Sequence, residues 1–124
     1  MAMSESEYQR VVAELKGTGA HRYLVDEDPY ARGLLRADID TMGIKLLRLG
    51  IVGRDAALEA TGRRCGELSA RARQIPMEAF TTRTQERVTD LCKCVTDDTS
   101  AEHAESVLSR IEAIVDEAAA RVRP

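Results

Sequence analysis

Residues 34–67 read "LLRADIDTMGIKLLRLGIVGRDAALEATGRRCGE", and the fold turns on them. Leu35, Ile39, Met42, Leu46 and Leu49 recur at spacings of four and three, as one face of an α-helix requires. After "LGIVGRD", Leu58, Thr61, Cys65, Leu68, Ala72 and Ile75 repeat the same spacing. Gly50 and Gly53 leave two readings. They can break the run into two helices of about 20 residues, or sit inside one helix at about 1 kcal/mol each relative to Ala. The sequence is read here as one long helix over 30–74, with Gly50–Gly53 as the place for a kink and Pro76 as its close.

Outward from this stretch, helix signals continue. Ser4 and Glu7 form a capping box that opens a short helix through Lys16, with Val11, Val12 and Leu15 apolar. "GTG" at 17–19 ends it, and residues 17–28 read as a loop. Asp28 then suits an N-cap, with Pro29 at the first helical position. A further helix is predicted over 78–95, with Phe80, Thr84, Val88, Leu91 and Val95 on one face. Thr99 and Glu102 suggest another capping box, opening a last helix over 100–122 that carries Val107, Leu108, Ile111, Ile114, Val115, Ala118 and Val122. No period-2 strand pattern interrupts these runs. The expected fold is all-α: a long first core helix and two shorter ones in residues 29–124, preceded by a helix and linker in residues 1–28.

Composition agrees. The 124 residues are 44% hydrophobic and 31% charged, the balance of one globular domain. Aromatics are only 3%, so the core must come from aliphatic side chains. A net charge of −3 supplies no basic field for nucleic acid. Charge is nevertheless uneven. Residues 97–120 hold seven acids against Arg110 alone, while residues 54–73 hold five arginines against three acids. Two solvated helix faces explain this most simply; an anion site lined by some of the arginines is the sharper reading.

"MAMSESEYQR" is not a signal peptide, and no apolar run reaches the length of a membrane span. With three cysteines, the expectation is a reducing cytoplasm. Cys92 and Cys94 fall on a predicted helix, where residues two apart point about 200° away from each other, so they read as structural cysteines rather than metal ligands. Neither His21 nor His103 lies in an ExxH pair, and no GxSxG, Walker or HExxH motif occurs. A helix-turn-helix can be read around Gly62, with Arg71 and Arg73 on the second helix, but the spacing fits poorly and Glu67 can pair with Arg63 or Arg71 on an ordinary helix face.

From Leu35 onward the chain resembles the all-helical chorismate mutases. Leu35-Arg36, Ile39-Asp40, Leu46-Leu47, Arg54 and Gly62-Arg63-Arg64 follow the order of that family's first helix. The resemblance implies an intertwined homodimer, in which Arg36 reaches the partner protomer's site. With one extra residue allowed in "LGIVG", Arg54 takes the mid-helix arginine position and Cys65 the lysine position. Without it, Gly53 and Arg64 take them. The family's Arg-Glu pair falls near Thr84-Gln85, with Arg83 one place away, and its C-terminal polar residue falls beside Arg121.

The implied activity is rearrangement of chorismate to prephenate, in aromatic amino acid biosynthesis. No proton moves in that reaction, so guanidinium groups that hold a small dianion suffice, with no cofactor and no metal. The resemblance thus assigns catalysis to Arg36, Arg54, Arg64 and Gln85, and substrate binding to Arg63, Cys65, Arg83 and Arg121. The alternatives are an enzyme acting on isochorismate or aminodeoxychorismate, or a non-catalytic helical interaction or regulatory protein. Residues 1–28 lie outside the family pattern and are free to cover a site or a dimer surface.

Overall fold

The computed structural model of the chain describes residues 30–122 together with Arg10. The expected helix from Ser4 to Lys16, the loop after it and the Asp28–Pro29 helix start lie outside the described residues. Residues 30–122 form four α-helices: α1 (Ala31–Gly53), α2 (Ala56–Arg73), α3 (Thr82–Cys92) and α4 (Ala101–Arg121). A short 3₁₀ turn, Met77–Ala79, precedes α3. No strand occurs among the described residues, and the all-α expectation holds.

The single long helix over 30–74 does not form. The chain stops at Gly53 and reverses, for a local reason. Arg54 takes the left-handed conformation (φ 52°, ψ 42°). Its N–H donates to the Ile51 carbonyl at 3.3 Å, and the next N–H, of Asp55, donates to the Gly50 carbonyl at 2.8 Å. These bonds satisfy carbonyls that the helix end leaves open. Asp55 then restarts the helix: its carboxylate accepts from the N–H groups of Ala57 and Leu58 at 3.0 and 3.2 Å. Arg54 and Asp55 thus form a two-residue turn between two antiparallel helices.

Close approach holds this hairpin together. A Cβ added at Gly43 would lie 2.7 Å from Cβ of Cys65, and one added at Gly62 would lie 2.8 Å from the Gly43 carbonyl oxygen. The two glycines let the backbones meet where any side chain would push them apart. Further along, Arg36 donates from Nε to the Ser69 carbonyl at 2.9 Å, and Arg32 donates to the Ile75 carbonyl at 2.9 Å.

The second hairpin, α3 and α4, stacks on the first in the same sense. α3 runs parallel to α1, since Asp38 meets Thr89 and Lys45 meets the Val95 carbonyl. α4 runs parallel to α2, since Arg64 pairs with Glu112 and Arg71 with Asp116. α3 and α4 are antiparallel, with Arg121 reaching Thr84 and Arg87 pairing with Glu117. The core between the hairpins is Leu35, Ile39, Leu46, Phe80, Val88, Leu108, Ile111 and Val115, all fully buried. Among the described residues, nearly every one of the predicted apolar faces lies in or against this core; Leu49, Leu91 and Val122 pack at its margin.

Two boundaries differ from the sequence reading. α3 begins at Thr82 rather than 78, because the 3₁₀ turn occupies 77–79 and the Thr81 hydroxyl accepts from the Thr84 N–H at 3.1 Å. It ends at Cys92, so Cys94 lies in the following turn and not on the helix. The Thr99–Glu102 capping box is also replaced. Ser100 caps α4, accepting from the His103 N–H at 3.1 Å, while Thr99 accepts from the Thr96 N–H at 2.6 Å.

Candidate functional site

The residues singled out by the chorismate mutase resemblance occupy separate stations. Arg36 is held against α2 by its bond to the Ser69 carbonyl. Arg54 forms the hairpin turn, 18 positions further along. At 1.5 Å per helical residue that is about 27 Å, a separation that two arginine side chains cannot close. Arg64 faces α4, its guanidinium 2.7 Å from Glu112 and 3.7 Å from Glu105. Arg63 pairs within α2 with Glu59 at 2.7 Å. Arg83 is exposed on α3, and Arg121 donates to the Ala79 carbonyl and the Thr84 hydroxyl at 3.4 and 3.3 Å. None of these arginines lines either of the two hollows beside α1 that are described below. The uneven charge of the sequence is largely accounted for by this pairing, with acids of α4 set against Arg64, Arg71 and Arg87. Such exposed pairs contribute about 0.2–1 kcal/mol each.

Cys65 lies fully buried between α1 and α2. Burial pushes its thiol up to about 11, against a smaller opposing pull from Arg64. Burial also pushes Cys92 up to about 12, assisted by the nearby Asp38 charge. A thiol so raised stays protonated near neutral pH and is a poor nucleophile and metal ligand. Cys94 is exposed, its sulfur 3.6 Å from the Asp90 carbonyl. No cluster of three or more His, Cys, Asp or Glu arranged to hold a metal occurs among the described residues.

Gln85 belongs to a different arrangement. Its amide donates to the Thr89 hydroxyl at 2.6 Å, and that hydroxyl donates to Asp38 at 2.5 Å, tying α3 to α1. This chain of bonds stands beside a groove of about 520 Å³, lined by Asp38, Thr41, Met42, Lys45, Thr89 and Lys93 among others. A second hollow of about 560 Å³, lined by Thr41, Ile44, Lys45, Arg48, Leu49 and Asp97, adjoins it. Thr41, Lys45 and Asp97 line both, so the two form one trough along the outer side of α1. Its walls offer methyl and methylene groups edged by charges of both signs.

The outer face of α1 carries the trough's apolar edge. Leu34, Ala37, Thr41, Ile44, Arg48 and Ile51 follow one another at spacings of three and four, and all are exposed. Ile44 is 67% exposed, Ile51 61% and the neighbouring Val52 79%, values at odds with their chemistry. This second stripe is 3.5-periodic, the repeat that one helix presents to another. The sequence shows apolar residues on shifting faces of this helix, but not which of them the hairpin leaves uncovered. α1 has apolar residues on two sides, and only one can face α2 and α3.

Compared with known protein families, curated proteins and solved structures, the chain has no match in any of the three.

Proposed function

We propose that this chain is a non-catalytic interaction module that binds an amphipathic helix along the outer face of α1. The observation that carries this reading is the exposure of Ile44 and Ile51 at helical spacing beside an open trough. An amphipathic helix laid there would set its own apolar face on these side chains, the helix-in-groove mode of recognition. Lys45 and Arg48 on one part of the rim and Asp97 on another would fix its direction through charge. The exposed apolar area is modest, which suits a reversible contact of micromolar strength rather than a permanent one.

Chorismate rearrangement, the activity implied by the resemblance, asks for cations that converge on one small dianion. Within one copy Arg36, Arg54 and Arg64 stand apart, so that proposal requires a second copy to complete the site. The two readings separate in a direct binding experiment. A fluorescein-labelled amphipathic helix of about 15 residues, with leucines on one face and acidic flanks, should raise anisotropy saturably at micromolar protein. Ile44→Asp should weaken this binding about tenfold or more, since a buried contact is replaced by a desolvated charge. Absence of saturable binding by the wild type, or indifference to Ile44→Asp, would refute the module reading.

A further inference from the structure

Resting on that reading of the outer face of α1, we infer that the helix it binds is α1 of a second copy, in an antiparallel dimer that must open before an external helix can dock. The face is self-complementary in this orientation. With a two-fold axis at the level of Met42 and Gly43, Leu34 of one copy meets Ile51 of the other, Ala37 meets Arg48, and Thr41 meets Ile44. The axis repeats each pairing, so the exposed stripe is covered along its whole length. Ala37 leaves room for the Arg48 stem, which can carry its guanidinium out to the edge of the seam.

Charge selects this orientation. Along the outer side of α1 two acids, Asp38 and Asp40, precede two bases, Lys45 and Arg48. In the antiparallel register each of these bases comes level, within one helical turn, with both acids of the second copy. Asp40 and Arg48 form no ion pair among the described residues, so both charges are available for such a contact. A parallel pair would instead set acids beside acids and Arg48 on Arg48, where like charges repel. Sliding the antiparallel pair by a heptad in either direction leaves Leu34 or Ile51 uncovered.

Area sets the strength. Such a seam buries on the order of 1,000 Å² over the two copies, below the ~1,200 Å² typical of stable complexes, and suits association in the micromolar range. Each copy brings a 23-residue helix that its own hairpin already orders, so pairing pays little for helix formation.

Sedimentation of the full chain from about 1 to 500 μM tests the inference, and a monomer–dimer equilibrium with a micromolar constant is expected. Ile44→Asp should weaken it about tenfold or more, with far-ultraviolet dichroism unchanged because the position is exposed in the single chain. Asp40→Arg should weaken it about threefold to tenfold. Asp40→Arg combined with Arg48→Glu in the same chain should recover most of that loss, because the exchanged charges again meet their opposites across the axis. A monomer throughout, a dimer indifferent to Ile44→Asp, or a double variant no better than Asp40→Arg alone would overturn it.

The fluorescein-labelled helix separates the two proposals. Added in excess, it should convert the dimer to monomers that each carry one helix. A chain that binds the helix but never dimerises removes the second copy and leaves the module reading standing. A dimer through this face that no external helix enters does the reverse. A dimer that keeps its mass while binding the helix would place the two contacts on different faces and overturn the inference.

Discussion

Gly62→Ala should destabilise the protein, although the same change four residues later should stabilise it. Both glycines lie inside α2, so each replacement gains helix propensity of about 1 kcal/mol. Their surroundings differ. A Cβ at Gly66 meets nothing within 4 Å, and the gain is kept. A Cβ at Gly62 would stand 2.8 Å from both the Gly43 carbonyl oxygen and the Leu47 backbone nitrogen, and 2.9 Å from Cγ of Leu47. Ordinary contact begins near 3.4 Å, so α1 must retreat by about 0.6 Å, and backbone atoms have no rotamer to escape into.

Overpacking of this kind costs about 1–3 kcal/mol against a propensity gain of about 1 kcal/mol, which leaves Gly62→Ala less stable than wild type by up to about 2 kcal/mol. The propensity gain is common to both variants, so the contrast between them is the overpacking cost itself, about 1–3 kcal/mol. Urea titration followed at 222 nm reads it as midpoints separated by on the order of 1 M. If Gly62→Ala matches or exceeds the wild-type midpoint, the helices do not meet at Gly43 and Gly62, and the hairpin packing is wrong.

Three further outcomes follow from the turn, the buried thiol and the scattered arginines. Arg54→Gly should stabilise by about 1 kcal/mol, because a left-handed residue pays a Cβ clash that glycine lacks; an unchanged or lower urea midpoint would contradict the turn geometry. Stability should fall as pH rises from about 9 to about 11, by about 2 kcal/mol, because the unfolded Cys65 thiol ionises in that window while the buried one stays protonated. Cys65→Ala should lessen that slope and leave the part contributed by Cys92, whose thiol burial also raises; an equal slope in the variant would refute the assignment. Incubated with chorismate, the protein should leave its ultraviolet absorbance decaying at the uncatalysed rate; faster decay would revive the isomerase proposal.

The core was legible because it depends on periodicity alone. Leu35, Ile39, Met42 and Leu46, and later Val107, Leu108 and Ile111, announce buried faces without reference to anything distant. The reversal at Arg54 was half-legible. Gly50 and Gly53 flagged a weak point, but the decision rests on Arg54 adopting a backbone state that sequence does not favour and on Asp55 capping the next helix. Propensity cannot weigh these against a continuous helix, because the hairpin wins by packing Gly43 on Gly62. The candidate site was less legible, for a related reason. An order of arginines along the sequence does not say which of them meet once the helix folds back, and the Thr89 hydroxyl that Gln85 meets within α3 finds Asp38 only after α3 has docked.

The two-residue turn between α1 and α2 also sets the order in which the chain can assemble. Contacts across that turn join residues close in sequence, such as Gly50 and Glu59, and their loop-closure entropy is small. Contacts between the hairpins join residues some fifty positions apart, Asp38 with Thr89 and Arg64 with Glu112. Formation of the α1–α2 hairpin should therefore come early and docking of α3–α4 late. Substitutions at the Gly43–Gly62 crossing would then act mainly on the folding rate. Loss of the α2–α4 ion pairs would instead hasten unfolding and leave the approach to the native state nearly untouched.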